Sequence, residues 1–210
     1  DITIKALERF GVSVYWKDAL TLFIRGGQRY APSDETVEGD YSNAAFLEAF
    51  SLFGGDVDVM GLNEKSVQGD KAYLWQFKKL CEGTPEINIS DCPDLGPILF
   101  ALAAANNGGI FTGTRRLRLK ESDRGEAMAE ELRKFGVTVT VNEDDIVVFP
   151  KEFHKPDGIL NGHNDHRIVM TLAILCTIFG GEIEGAEAVN KSFPDFFEKL
   201  QSVGIDVEKH

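Results

Sequence analysis

The sequence predicts an α/β fold assembled from one repeated unit. Three observations carry this. First, a helix-like run ends three times in Gly-Gly and leads through a short alternating run to another Gly. The copies are FGGDVDVMG (Gly54, Gly55, Gly61), NGGIFTG (Gly108, Gly109, Gly113) and FGGEIEG (Gly180, Gly181, Gly185). Second, each copy opens on an acidic residue near a helix start. Asp40 lies fourteen positions before Gly54, Asp94 fourteen before Gly108, and Asp165 fifteen before Gly180. Third, a helix–Gly–β signal recurs as LERFGVSV, LRKFGVTV and LQSVGIDV, with Gly11, Gly136 and Gly204 as the stops. A glycine after a helix supplies the left-handed cap, and alternating Val or Ile suits a half-buried strand.

In chain order, residues 1–36 read as a helix followed by the hairpin VSVYWKDALTLFI, which turns at charged residues. RYAPSDETVEGD connects them to the first full copy. After each copy's strand come a lysine, a serine and an aspartate, in KSVQGD (Lys65), KESD (Lys120) and KSFPD (Lys191), and then a second helix. A second hairpin is expected at VTVTVNEDDIVVF. The unit is therefore strand–helix–strand–helix–hairpin. Such units bury their helices against one another around a pseudo-axis. That arrangement gathers helix N-termini at one end, where their N–H groups and dipoles attract anions. The three lysines would stand at equivalent places there. The chain opens on the tail of a unit, so the reading expects the C-terminal part of a longer protein. Residues 1–36 would close one domain, and 37–210 would form most of another.

Composition narrows the function. Hydrophobic residues make up 43% of the 210, enough for a real core. The longest apolar run, IVMTLAILCTIF, falls short of the roughly 18 residues that span a bilayer. A net charge of −12 argues against nucleic acid or an anionic membrane as partner. It also makes local clusters of Lys and Arg more informative. Cys81, Cys92 and Cys176 are odd in number and lack metal spacing, as expected of reduced thiols in the cytoplasm.

Read alone, the charged residues have ordinary explanations. KESDR fits a helix start with Ser122 as N-cap and acids in the first turn. Asp94 and Asp40 fit helix caps, Arg167 a structural ion pair, Lys65 a structural residue and Lys191 a solvated lysine. Ser66, Gln68 and Asp70 fit the start of a second helix. His163 and His166 have the spacing of a metal pair, but no third ligand follows at convincing spacing. No metal site is expected, and the two histidines read as neutral or exposed. The Gly-Gly pairs form neither GxGxxG nor GxxxxGK, so they read as backbone devices.

Taken together and in order, RLKESDR, CPDLGPILFALAA, NDHRIVMTLAIL and VNKSFPDFFEKL resemble segments of the 5-enolpyruvylshikimate-3-phosphate synthases. VEGDYSNAAFL and KSVQGD add to the resemblance, which covers nearly the whole chain. It implies an inside-out α/β barrel of βαβαββ repeats, in proteins about twice this length. It implies transfer of the enolpyruvyl group from phosphoenolpyruvate to the 5-hydroxyl of shikimate 3-phosphate, with release of phosphate and no organic cofactor. Asp94 then matches the base at the sugar hydroxyl. Glu121 matches the group that protonates the methylene carbon, and Lys120 a lysine near both substrates. Arg124, Arg167 and Lys191 match the clamp on phosphoenolpyruvate, a role suited to the planar guanidinium fork. Glu121 beside such cations needs burial or a neighbouring carboxylate to act as an acid. Arg116 stands where the family can carry an asparagine. The family's N-terminal half, which completes the site on closure, is expected as a partner, and the chain alone is expected to turn over little or nothing.

Two other readings are weighed. A transferase acting on UDP-N-acetylglucosamine shares the architecture but lacks the KESDR block. A non-catalytic anion-binding domain would need the cations but not the two placed carboxylates.

Overall fold

The computed structural model describes residues 1–149 and 153–209. Two compact units divide the chain: Asp1–Gly39 with Gly61–Gln68, and Asp40–Met60 with Gly69–His210. In the first unit, α1 (Ile2–Arg9) precedes an antiparallel hairpin of β1 (Val14–Trp16) and β2 (Leu22–Ile24). Asp18 makes the turn by accepting the Leu20 N–H at 2.9 Å, so the charged turn expected from the sequence is present. The side chains of Asn63, Ser66 and Gln68 converge on the Glu38 carboxylate at 2.8, 2.5 and 2.9 Å. Ser66 and Gln68 therefore pin this connection with their side chains instead of starting the next helix.

The second unit runs α2 (Tyr41–Leu52), α3 (Tyr73–Glu82), β3 (Glu86–Asn88), α4 (Gly96–Ala105), β4 (Gly109–Thr112), α5 (Arg124–Lys134), β5 (Thr138–Val141), β6 (Asp145–Phe149), β7 (Leu160–Asn161), α6 (His166–Phe179), β8 (Ile183–Glu184) and α7 (Phe196–Ser202). Four strands form a sheet in the order β3-β4-β6-β5. Within it β3 and β4 are parallel, and β6 runs antiparallel to both of its neighbours. β7 and β8 form a second, parallel pair.

The helices lie at the centre of this unit because of their sequences. α4 reads GPILFALAAA, and every residue from Gly96 to Ala104 is buried. A helix that is apolar all round has to be interior. It packs against α2, α3, α5 and α6. The strands cover it from outside with one face each: Ile146 and Val148 of β6 point inward and alternate with more exposed residues, and Phe111 of β4 meets Phe100 edge-on at 4.8 Å. Helices inside and strands outside give the inside-out arrangement, and the run from β3 to β6 is one full copy of the expected unit.

Two expected strands are missing. Residues 56–60, in FGGDVDVMG, make no ladder among the described residues, and the Val57 N–H turns back to the Ser51 hydroxyl. Residues 205–207, in LQSVGIDV, likewise form no strand among the described residues. Alternating Val and Ile make a strand only where a neighbour supplies the other half of the hydrogen bonds. The glycine stops are in place: Gly136 ends α5 at φ 81° and Gly180 ends α6 at φ 72°, a region that other residues enter at a cost.

Candidate active site

Three elements of the second unit bring their N-terminal ends together. Pro93–Leu95, a short 3-10 turn, leads into α4 and carries Asp94. α5 begins at Arg124 and α6 at His166. α5 is capped by Asp123, which accepts the Glu126 N–H at 3.3 Å, and not by Ser122. Ser122 instead donates to Asp165 at 3.0 Å. Asp94 caps nothing: its side chain makes no capping bond, and both of its oxygens face cations. The cap reading does hold for Asp40, which accepts the Ser42 N–H at 2.8 Å at the start of α2.

Arg124 is the centre of the cluster, 1% exposed. Its Nη1 donates to Asp94 Oδ1 at 2.7 Å and its Nη2 to Glu121 Oε2 at 2.7 Å. Its Nε donates to Asp165 Oδ2 at 2.8 Å, and Nη2 reaches Asp165 Oδ1 at 3.3 Å. One buried guanidinium thus holds three carboxylates through its fixed fork. Lys120 Nζ sits 2.9 Å from Asp94 Oδ1. Arg167 Nη2 approaches Asp94 Oδ2 at 3.7 Å, with its guanidinium 5.5 Å from the centre of the Phe46 ring. The remaining guanidinium donors of Arg167, Nε and Nη1, are buried and meet no acceptor among the described residues.

The charges set the protonation states. Burial opposes ionisation of Asp94, but the Lys120 ammonium and the guanidiniums of Arg167 and Arg124 outweigh it and hold the carboxyl down at about 2. Asp165 follows the same pattern: burial raises it, and Arg124 pulls it below the usual range. Burial lowers His166, with Arg167 adding to the effect, so its ring is neutral near pH 7. Asp70 is the exception. Burial raises it, and neither the Ser42 hydroxyl bonded to it nor nearby Arg167 offsets the effect.

The sequence-predicted residues Asp94, Lys120, Glu121, Arg124 and Arg167 therefore meet in one cluster. Lys191 stands beside it: its Nζ is exposed and donates to the backbone oxygen of Asn164 and to Asn164 Oδ1. Arg116 donates to the Ser90 carbonyl at 3.1 Å. Lys65, in the first unit, offers its N–H to Asn63 Oδ1. Glu121 is over one-third exposed, and its second oxygen lies 3.8 Å from His166 Nδ1. Burial does not qualify it as an acid, but Asp94 and Asp165 share Arg124 with it.

Two residues of the cluster carry no catalytic or substrate-binding role in the sequence reading. Asp165 was seen only as an acidic helix start, although its pairing with Arg124 is wholly buried. His166 was expected to be neutral or exposed; it is neutral but buried, 6% exposed. His163 does not pair with His166. It faces Glu131 at 3.0 Å, and ligand atoms of Glu130, Glu131 and His163 come within 4.8 Å of one another, a grouping the spacing did not reveal. Lys134 lies 2.9 Å from both oxygens of Glu131, which puts a cation there already.

The profile of the EPSP synthase family (3-phosphoshikimate 1-carboxyvinyltransferase) matches residues 1–200. The chain belongs to the EPSP synthase family. It is 38% identical to the 3-phosphoshikimate 1-carboxyvinyltransferase of Clostridium acetobutylicum over 226 aligned positions, which cover all of this chain and 53% of that protein. EPSP synthase from Acinetobacter baumannii superposes with a TM-score of 0.67 at 24% identity, over 99% of this chain and 55% of that one. The enolpyruvyl transferase NikO from Streptomyces tendae superposes equally well, at 0.67 and 16% identity, over 99% of this chain and 53% of that one. These two structures speak for the fold, the enolpyruvyl transferase architecture. The chain spans about half the length of the EPSP synthases it matches.

Proposed function

We propose that this chain supplies one half of a 3-phosphoshikimate 1-carboxyvinyltransferase, which moves the enolpyruvyl group of phosphoenolpyruvate onto the 5-hydroxyl of shikimate 3-phosphate in the route to aromatic amino acids. Residues 1–36 would belong to the end of one domain and 37–210 to most of the other, and an N-terminal half would complete the site. The reaction is placed in the cytoplasm and uses no organic cofactor. No helix among the described residues is long and apolar enough to cross a membrane.

The observation that carries the reading is Arg167. A buried guanidinium with two unpaired donors is costly, and an anion that accepts from Nε and Nη1 removes the cost. Phosphoenolpyruvate offers a carboxylate and a phosphate, and Lys120 and Arg124 pair with the Asp94 carboxylate that Arg167 also approaches, while Lys191 holds Asn164, next in the chain to Asp165. Asp94, ionised at neutral pH, accepts the 5-hydroxyl proton as that oxygen attacks C2. So weak a base works only when the transfer is concerted with C–O bond formation, as the hydroxyl turns acidic. Glu121 delivers a proton to C3. Collapse of the tetrahedral adduct expels phosphate, which leaves with the proton held on Asp94, and Glu121 takes back a C3 proton as the double bond re-forms.

Titration of the chain with phosphoenolpyruvate tests this. Weak binding is expected, lowered about tenfold or more by Arg167→Gln, since a charged hydrogen bond contributes about 1.5–3 kcal/mol. Inorganic phosphate binding as tightly as phosphoenolpyruvate would favour a non-catalytic anion site instead.

A further inference from the structure

We propose that Glu131 is a positioning residue for the phosphoenolpyruvate side of the site, acting through the turn at residues 161–164. The proposal rests on the function proposed above. Among the described residues, His163 and Asn164 are the non-glycine residues with positive φ, at 48° and 51°. Side chains other than glycine resist this region, although Asn and His tolerate it better than most. Two in succession persist only where the surroundings hold them.

Two groups do the holding. From α5, the fully buried Glu131 carboxylate accepts the Asn161 N–H at 2.9 Å through Oε2 and faces the His163 ring Nε2 at 3.0 Å through Oε1. Lys134 braces it with an ammonium 2.9 Å from each oxygen. From the other side, Lys191 Nζ donates to the Asn164 carbonyl and to Asn164 Oδ1. The turn is closed by the Asp165 N–H on the Gly162 carbonyl at 2.9 Å. Its exit residue is Asp165, which grips Arg124 and caps α6 just before Arg167.

α5 thus reaches the approach to α6 twice, through Arg124 at its first residue and through Glu131 two turns on. If the turn relaxed, the Asn164 carbonyl would leave Lys191 and the Asp165 carboxylate would lose its aim at Arg124. A buried ion pair is weak ground for stability, whereas placing a strained turn between two substrate-facing cations is a role that a carboxylate whose oxygens meet Asn161, His163 and Lys134 fills.

Proton exchange of the Arg124 Nε–H and the Asp165 N–H, followed by NMR in the 210-residue chain, reads the effect without reference to catalysis. Glu131→Gln is expected to speed both about tenfold while the amides of α4 keep their rates, and to weaken phosphoenolpyruvate binding about tenfold. His163→Ala keeps the left-handed strain and loses the contact, so it should speed exchange similarly. His163→Gly adopts the conformation without strain and should stay near the native rates. Unchanged Arg124 and Asp165 exchange in Glu131→Gln overturns the proposal, and so does acceleration shared equally by α4. Should Glu131→Gln fail to fold, the Ala and Gly variants at 163 decide, and equal effects from both overturn it. A native chain that ignores phosphoenolpyruvate would refute the proposed function, while the exchange rates still judge Glu131.

Discussion

Arg124 and Asp165 lie 41 positions apart, and no spacing rule links them; the fold makes them a buried pair. Removing one partner of such a pair leaves the other charge uncompensated. Asp165→Asn is therefore expected to cost about 3 kcal/mol in urea unfolding, the usual scale for this change, because Asn can still cap α6 and the cost is that of the broken ion pair. Acid should act through the same groups. The folded pKa values of Asp94 and Asp165 lie below the unfolded ones, so their contribution is fully present above about pH 4. It fades as pH falls through the folded values, about 2 for Asp94. Asp165→Asn should accordingly flatten the acid limb of a stability profile. Asp70 has the opposite sign, because burial raises it and ionisation at neutral pH works against folding. Asp70→Asn keeps an acceptor for Ser42 and should be neutral or stabilise by up to about 1 kcal/mol at pH 7; a matching loss of stability would show that the charge is compensated. At this scale the sequence disclosed chemistry better than partners. RLKESDR and NDHR marked Lys120, Glu121, Arg124 and Arg167 through a family pattern, but spacing could not show that Asp165 binds Arg124 or that Ser122 leaves its cap role to Asp123.

The helices of the second unit were legible because their apolar runs are long enough to identify them without a partner. GPILFALAAA and IVMTLAIL can only be interior. Strands depend on what lies beside them, so GIFT and DIVVF pair while DVDVM finds no partner among the described residues. At position 162 the packing between elements leaves no room for a side chain. A Cβ there would lie 2.6 Å from Val169 Cγ2 on α6 and 3.0 Å from the Gly185 carbonyl oxygen. Gly162→Ala should cost about 2 kcal/mol by overpacking, read from the unfolding midpoint. An unchanged midpoint would mean that β7 and α6 can part without loss.

For the whole molecule, the chain carries an ordered cluster of charges, proposed above to serve an enolpyruvyl transfer, and it spans about half the length of the EPSP synthases it matches. Half a site should bind weakly and complete its chemistry only when a second half closes on it. The most direct test mixes this chain with a separately made N-terminal half from an EPSP synthase and measures phosphate release from phosphoenolpyruvate in the presence of shikimate 3-phosphate. Release is expected only when both halves are present, and Asp94→Ala should abolish it. Folded halves that associate and release no phosphate would contradict the proposed function.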